Sequence, residues 1–323
     1  MQGFDKKFKD LPDYILKITY QIWEDKDVES IREYYAKGIP VRSPDGVIYG
    51  PDKVVKATYA TLDEFPDRQL LGEDVIFIGN ENDGYLSSHR ILTKATHLND
   101  GIYGKATGIK ISYRVIADCA CKNNQVYDEW LVRDQGAIVR QLNLDPKTYA
   151  KTLIDKQGGV TKCSIPFNQN TPLDLKYTQL SLPKNNTGYE YAEILKTIFQ
   201  KDLDSIEKFY DRSINQEQPS GLKAYGVDEV KSFWSSIFSS FPEATFKIEH
   251  VSYLDEPAAY RKAAIRWSLN GIHSGPGYFG NPSQTEVYVM GISHAEFGPR
   301  GIKNEWVLFD ETAIWKQILM KTG

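Results

Sequence analysis

Apolar residues recur every three or four positions in YILKITYQIW near the start of the chain and again in YAEILKTIF past its middle. That is the spacing of a helix laying one stripe on a core. A second helix is expected after Asp27 and after Asp202, each placed as an N-cap, with Val28, Ile31, Tyr34 and Tyr35 on one side of the first. A third follows YGPDKV or YGVDEV and stops at Phe65-Pro66 or Phe241-Pro242, because proline disfavours a continuing helical turn. Beyond those prolines the period drops to two. DVIFIG, YLSSHRILTKATH, IKISYRVIADCA and YDEWLVRD read as antiparallel strands, with loops at NENDG, NDG and KNNQ, and DQGAIVRQL closes the series as a short helix capped by Asp134. Helices, a curved meander of strands, then a helix make an α+β unit with the helices folded against one side of the sheet.

The whole order occurs twice. Tyr49 to Leu142 aligns on Tyr225 to Ile318 without a gap, and the retained pairs include Phe65/Phe241, Arg90/Arg266, His97/His273, Gly101/Gly277, Gly104/Gly280, Glu129/Glu305, Trp130/Trp306 and Asp134/Asp310. Upstream, DVESIREYY matches DLDSIEKFY. A period this long duplicates a domain and does not build a solenoid. The expected units are 1–152 and 189–323. The segment 153–188, rich in Gly, Pro, Asn, Gln and Thr, reads as a linker with room for a short strand at Leu175 to Leu182.

Composition narrows the classes of function. The 323 residues are 41% hydrophobic and 25% charged, as in ordinary globular proteins, and the net charge of −4 leaves no basic face for a phosphate backbone, so a nucleic-acid partner is disfavoured. No run approaches the ~20 apolar residues of a membrane span, and MQGFDKKFKDLPDYILKITY lacks the layout of a signal peptide. A cytoplasmic location is the resulting expectation. Three cysteines are an odd count, which favours reduced thiols, and Cys119 and Cys121 on one strand face read as small core residues. Five histidines without an HExxH or similar spacing give no support to a metal site.

Strand alternation picks out the candidate chemistry. His89, Ile91, Thr93, Ala95 and His97 share one face, as do Ile265, Trp267, Leu269, Gly271 and His273 in the copy, so both His97 and His273 point into something dry. On the next strand His294 stands where the first unit has Asp118. Both side chains exchange protons, with different pKa values, which suggests two cavities of diverged chemistry. Asp118, His97, His273 and His294 are thus the candidate acid–base groups. Trp130, Tyr113, Arg90, Glu129, Trp23 and Tyr34, with Trp306, Arg266, Glu305 and Trp267 in the second unit, are candidate substrate contacts. Plainer readings stand beside these: a lone His satisfied in a core, tryptophans as packing, Asp134 and Asp310 as helix caps, an Arg90–Glu129 pair of structural value only, and turn glycines at 101 and 104.

The run from Thr96 to Gly108, THLNDGIYGKATG, followed by a strand and then DEWLVRD, resembles the SnoaL-like polyketide cyclase family, and IHSGPGYFGNPSQ with NEWVLFD resembles a more divergent member. The resemblance covers about Asp13 to Leu144 and Tyr189 to Met320. It implies tandem cone-shaped α+β barrels of the kind shared with nuclear transport factor two, scytalone dehydratase and ketosteroid isomerase, each a bent sheet wrapped around helices to enclose a pocket. Because such domains commonly pair through their sheets, it also implies an intrachain pseudo-dimer, with further homo-oligomerisation open. The implied chemistry is intramolecular aldol closure with no metal or organic cofactor and a carboxylic acid as proton shuttle. Asp118 best matches the position of that acid, with His97 near it; the second unit departs by carrying His294. Three functions follow for consideration: a cofactor-independent cyclase, isomerase or lyase acting on an apolar or polyketide-like substrate, a small-molecule binding protein, or a structural and interaction module.

Overall fold

The computed structural model describes residues 1–177 and 183–323. The first helix, α1 (Leu11–Trp23), starts where the Asp10 carboxylate accepts the Asp13 N–H at 2.8 Å, satisfying a donor the helix leaves orphaned. It buries Leu11, Tyr14, Ile15, Ile18 and Ile22. A single 3-10 turn leads into α2 (Ile31–Tyr34). Asp27, expected as a cap here, makes no capping bond; its carboxylate accepts from the Gln21 amide at 2.7 Å, whereas Asp202 does cap, on the Ser205 N–H. After β1 (Pro40–Ser43) and β2 (Gly46–Tyr49), α3 (Pro51–Glu64) ends at Phe65, one residue before the proline that forbids its extension.

The long strands follow: β3 (Gln69–Asn80), β4 (Gly84–Thr96), β5 (Lys110–Lys122) and β6 (Gln125–Arg133), then α4 (Gln135–Gln141) and α5 (Pro146–Lys156). Asn123 and Asn124, both at positive φ, make the tight β5–β6 turn, the geometry that matches the twist of a hairpin. The sheet order is β2-β1-β6-β5-β4-β3, antiparallel except where β1 runs parallel to β6. The second unit repeats this with α6 (Thr187–Phe199), α7 (Ile206–Phe209), β7 (Tyr210–Glu217), β8 (Lys223–Tyr225), α8 (Val227–Ser240), β9 (Thr245–Leu254), β10 (Arg261–Ile272), β11 (Glu286–Gly298), β12 (Gly301–Phe309) and α9 (Glu311–Thr322). Its order is β8-β7-β12-β11-β10-β9. Asp134 and Asp310 cap α4 and α9, accepting from Ala137 and from Thr312 and Ala313. Of the strand expected at Leu175 to Leu182, Leu175–Tyr177 are irregular and the rest lies outside the described residues.

Register decides which side chains share a face. Ser88 pairs with Asp118 and Asp118 with Trp130, while His89 pairs with Ala117 and Cys119 with Glu129. Directly opposed residues point the same way. Glu129, Cys119, Ala117 and His89 therefore face the helices inside the cone, and Asp118, Ser88 and Trp130 face out. The outer faces of the two sheets lie against each other through Ile116, Trp130 and Val132 on one side, Met290, Ile292 and Leu308 on the other, with Phe167 between them.

Candidate functional site

The seam between the sheets gathers four of the polar residues singled out from the sequence, Asp118, His294, Arg90 and Arg266. Asp118 Oδ2 is 2.8 Å from Nη1 of Arg266, and Ser88 Oγ donates to Asp118 Oδ1 at 2.6 Å. Having spent its proton there, Ser88 can only accept from His294 Nε2 at 2.7 Å. That fixes the neutral tautomer of His294, whose Nδ1 accepts from Arg90 Nη1 at 3.2 Å. Burial and the Arg90 charge hold the His294 pKa well below the ordinary value. Each retained arginine lies over the other unit's tryptophan, Arg90 on Trp306 at 3.5 Å and Arg266 on Trp130 at 4.2 Å. Arg90 pairs with Glu73 at 3.1 Å and not with Glu129, which is on the opposite face.

Asp118 and His97 therefore do not share a cavity, contrary to expectation, and the physical reason is the even–odd parity of β4 and β5. His97 itself is a strut. It is fully buried, with Nε2 3.2 Å from Glu64 Oε1 and Nδ1 3.1 Å from Thr107 Oγ1. The Glu64 carboxylate also accepts the N–H groups of Ile102 and Tyr103, which holds the glycine turn onto the end of α3. Gly104 sits at positive φ, while Gly101 is required for space, since a Cβ there would fall 2.1 to 2.4 Å from the Glu64 carboxylate atoms. His273 makes the matching bond to Ser283 at 3.0 Å in the second unit.

The open space is elsewhere, inside the first cone. A cavity of about 210 Å³ lies between α1, α3 and the inner face of the sheet. Its walls are mainly apolar, with Ile15, Ile18, Ile22, Val54, Ile91, Val115 and Leu131 among them; three threonines, Thr19, Thr58 and Thr61, also line it, and its larger polar and charged members are Tyr35, Arg68, His89, Glu129 and Arg133. Trp23 and Glu129 of the sequence candidates line it. Tyr113 lies behind it, 5.9 Å from the Arg68 guanidinium, and Tyr34 does not line it but packs in the adjoining core, donating to Gln21 at 2.8 Å.

Glu129 is the exceptional group. It is 5% exposed, its Oε2 has no hydrogen-bond partner, and burial raises its pKa to about 7, against the lowering effect of the Tyr35 hydroxyl bonded to it. His89 has an unpartnered Nε2 and is held neutral, its pKa lowered to about 4 by burial and by Arg90. Cys119 shares the wall, but burial and the nearby Glu129 charge push its thiol well up, so it stays protonated. Arg68, His89, Tyr35 and Arg133 were not among the sequence candidates. The signal that marks three of them is a difference between the halves: Arg68, His89 and Arg133 align on Ala244, Ile265 and Phe309.

The second cone is filled where the first is open. Trp267, 1% exposed, crosses its floor and donates to Ser293 at 2.9 Å; a Cβ on Gly291 would lie 2.2 Å from its ring. Phe199 stacks on Phe246 at 3.5 Å, Trp234 sits 6.2 Å from Trp267, and Phe309 packs at its other side. The matching positions of the first cone hold Ile91, Val115, Trp23, Leu70, Thr58 and Arg133. Glu305, the copy of Glu129, accepts from Tyr191 and Tyr210 at one oxygen and Gln216 at the other, at 2.6 to 2.8 Å. Two cavities of diverged chemistry were expected; the larger aromatic rings have closed one of them.

Residues 190–318 match the family model described as SnoaL-like polyketide cyclase. No curated protein matches the chain. Similar solved structures include IdmH, a proposed polyketide cyclase from Streptomyces antibioticus (19% identity, 41% of this chain and 98% of that one, TM-score 0.37). AclR, a proposed hydroxylase from Streptomyces galilaeus, aligns at 22% identity over 42% of this chain and all of its own (TM-score 0.35). A SnoaL-like polyketide cyclase from Agrobacterium tumefaciens aligns at 15% identity over 42% of this chain and 99% of its own (TM-score 0.34). The second unit is thus similar, over residues 190–318, to the SnoaL-like polyketide cyclase family.

Proposed function

We propose that the protein is a cofactor-independent acid–base catalyst whose working site is the cavity of the first unit, with the second unit serving as a pocketless companion packed on its sheet in an intrachain pseudo-dimer. The observation that carries this reading is Glu129, a buried carboxylate with one free oxygen, facing a cavity, with a pKa of about 7. A group poised there gives and takes protons with similar ease near neutral pH. Glu129 removes the proton from a carbon next to a carbonyl and becomes the carboxylic acid; the electron pair moves onto the carbonyl oxygen as an enolate. Return of the proton elsewhere completes an isomerisation, attack of the enolate carbon on an internal carbonyl closes a ring, and expulsion of a β-substituent completes an elimination. Tyr35 holds the carboxylate in place, and neutral His89 offers a hydrogen bond to the substrate oxygen on which negative charge develops. Asp118 and His294, buried in the seam, hold the two sheets together in this reading, and His97 and His273 anchor the glycine turns.

The test is deuterium wash-in, followed by proton NMR, at the α-carbons of a panel of cyclic ketones and 1,3-dicarbonyl compounds in D₂O. Exchange by the wild type that Glu129→Gln abolishes and Asp118→Asn leaves intact is the expected result. Equal exchange by wild type and Glu129→Gln, or none with any compound, sinks it.

A further inference from the structure

The polar groups of the first cavity are not all accounted for by proton transfer. Arg68 is 3% exposed, yet its Nε and Nη1 have no hydrogen-bond partner, and Arg133 Nε has none either. Among the described residues no carboxylate forms an ion pair with either guanidinium. Glu24, the acid whose charge acts on Arg68, is engaged by the Leu70 N–H at 2.6 Å. The two cations also act on each other: burial is the main cause that lowers the Arg68 pKa to about 10, and Arg133 adds to it. Arg68 is a charge removed from water without a counter-charge, which is costly, and the half-buried Arg133 adds a like charge near it.

Arg68 is also oriented. Its guanidinium lies over the Trp23 ring at 4.1 Å. Stacking occupies the face of the guanidinium and leaves the in-plane Nε and Nη1 donors unpaired, in the plane where a carboxylate is bound. On β6, Arg133 and Glu129 project into the same cavity with Leu131 between them. Four residues of strand separate their backbones by roughly 13 Å, so cation and carboxylate stand at opposite ends of an apolar chamber.

We propose that the Arg68–Arg133 end is an anion subsite, and that the molecule taken up is a small carboxylic acid with a compact apolar body, its carboxylate on the guanidiniums and its carbon skeleton directed toward Glu129. This deepens the reading of the same cavity as a proton-transfer site and rests on it only for the role of Glu129. Size limits the body. An apolar cavity of about 150 Å³ accommodates benzene, so the 210 Å³ here suits one ring or its open-chain equivalent bearing a carboxylate. The second unit gives an internal contrast, because its filled cone has Ala244 and Phe309 in place of the two arginines.

The experiment is calorimetric titration of the full chain with benzoate and cyclohexanecarboxylate, with benzamide and cyclohexylmethanol as neutral counterparts, and with inorganic phosphate. The acids should bind at least about tenfold more tightly than the neutral molecules, and Arg68→Gln should remove most of that margin, as expected for charge-assisted pairs. Arg68→Lys, which keeps the charge but loses the fork, should recover only part. Neutral molecules binding as well as the acids overturns the proposal on wild-type protein alone, as does phosphate binding in preference to them. If the acids bind through Arg68 while no probe exchanges deuterium, the subsite stands and the Glu129 chemistry falls. If exchange occurs and carboxylates gain nothing, the reverse holds.

Discussion

Glu129 and Glu305 occupy the same place on the same strand of the two units, and only Glu305 has both carboxylate oxygens hydrogen-bonded. The difference comes from what stands opposite. Gln216 reaches the second oxygen of Glu305, while its counterpart beside Glu129 is Val41, which cannot donate.

Glu129 should make stability fall as pH rises. Its folded pKa of about 7 exceeds the ordinary 4.5, so between those values the native state holds a proton that the unfolded chain has released. The contribution is fully present below about 4.5 and is lost as pH rises through about 7, amounting to about 3 kcal/mol. Asp134 and Asp310, raised to about 6 and 7 by burial, act in the same direction. Urea unfolding of wild type and Glu129→Gln at pH 5 and pH 8 isolates the Glu129 share: the variant should lose less stability between the two pH values. Parallel profiles would show that Glu129 is not the titrating group.

Asp118→Ala leaves Arg266 buried without the carboxylate it now faces at 2.8 Å. Breaking a buried pair on one side costs ~3 to 5 kcal/mol. The expectation is a large drop in the urea midpoint, with deuterium exchange by the protein that remains folded unchanged. A variant of normal stability and abolished exchange would return Asp118 to the catalytic role that the sequence suggested.

Trp267 fills the second cone, so Trp267→Ala should cost ~3 to 5 kcal/mol, the range for deleting a buried ring. Ile91→Ala, at the aligned position beside the open cavity, should cost less, because part of its surroundings is already empty. Thermal melts of the two variants make the comparison, and equal losses would mean that the two cones are equally packed.

Gly101→Ala places a methyl group within 2.4 Å of the Glu64 carboxylate atoms. Glu64 must move, and the N–H groups of Ile102 and Tyr103 lose their acceptor. A loss of ~1 to 3 kcal/mol is expected, the range for buried donors left unpaired. Hydrogen exchange at Ile102 and Tyr103 should accelerate in the variant; unchanged protection there would show that Glu64 does not hold the turn.

The helices, the strands and the duplication could be read from periodicity and from the alignment of the two halves, because burial imposes both patterns directly. The position of the site could not. Alternation assigns faces within one strand, but whether Asp118 shares a face with His97 depends on the β4–β5 register. That register is set by the turn between them, where the chain leaves the ladder at His97 and rejoins it near Ile109. The substitution of His294 for Asp118 drew attention because both residues ionise. The changes that separate the cones are polar to apolar: Arg68 to Ala244, His89 to Ile265, Arg133 to Phe309. Small to large replacements, Thr58 to Trp234 and Ile91 to Trp267, complete the filling. Volume and charge on inward positions were the readable signal, and they require the inward face to be known first.

In an assembly of two identical chains, every residue is present on both sides of the symmetry axis, so a ring that plugs one barrel plugs its mate and the function disappears with it. A covalent tandem escapes that constraint. Trp267 and Phe309 stand where the other barrel has Ile91 and Arg133, so one barrel carries large rings at positions that line a cavity in the other.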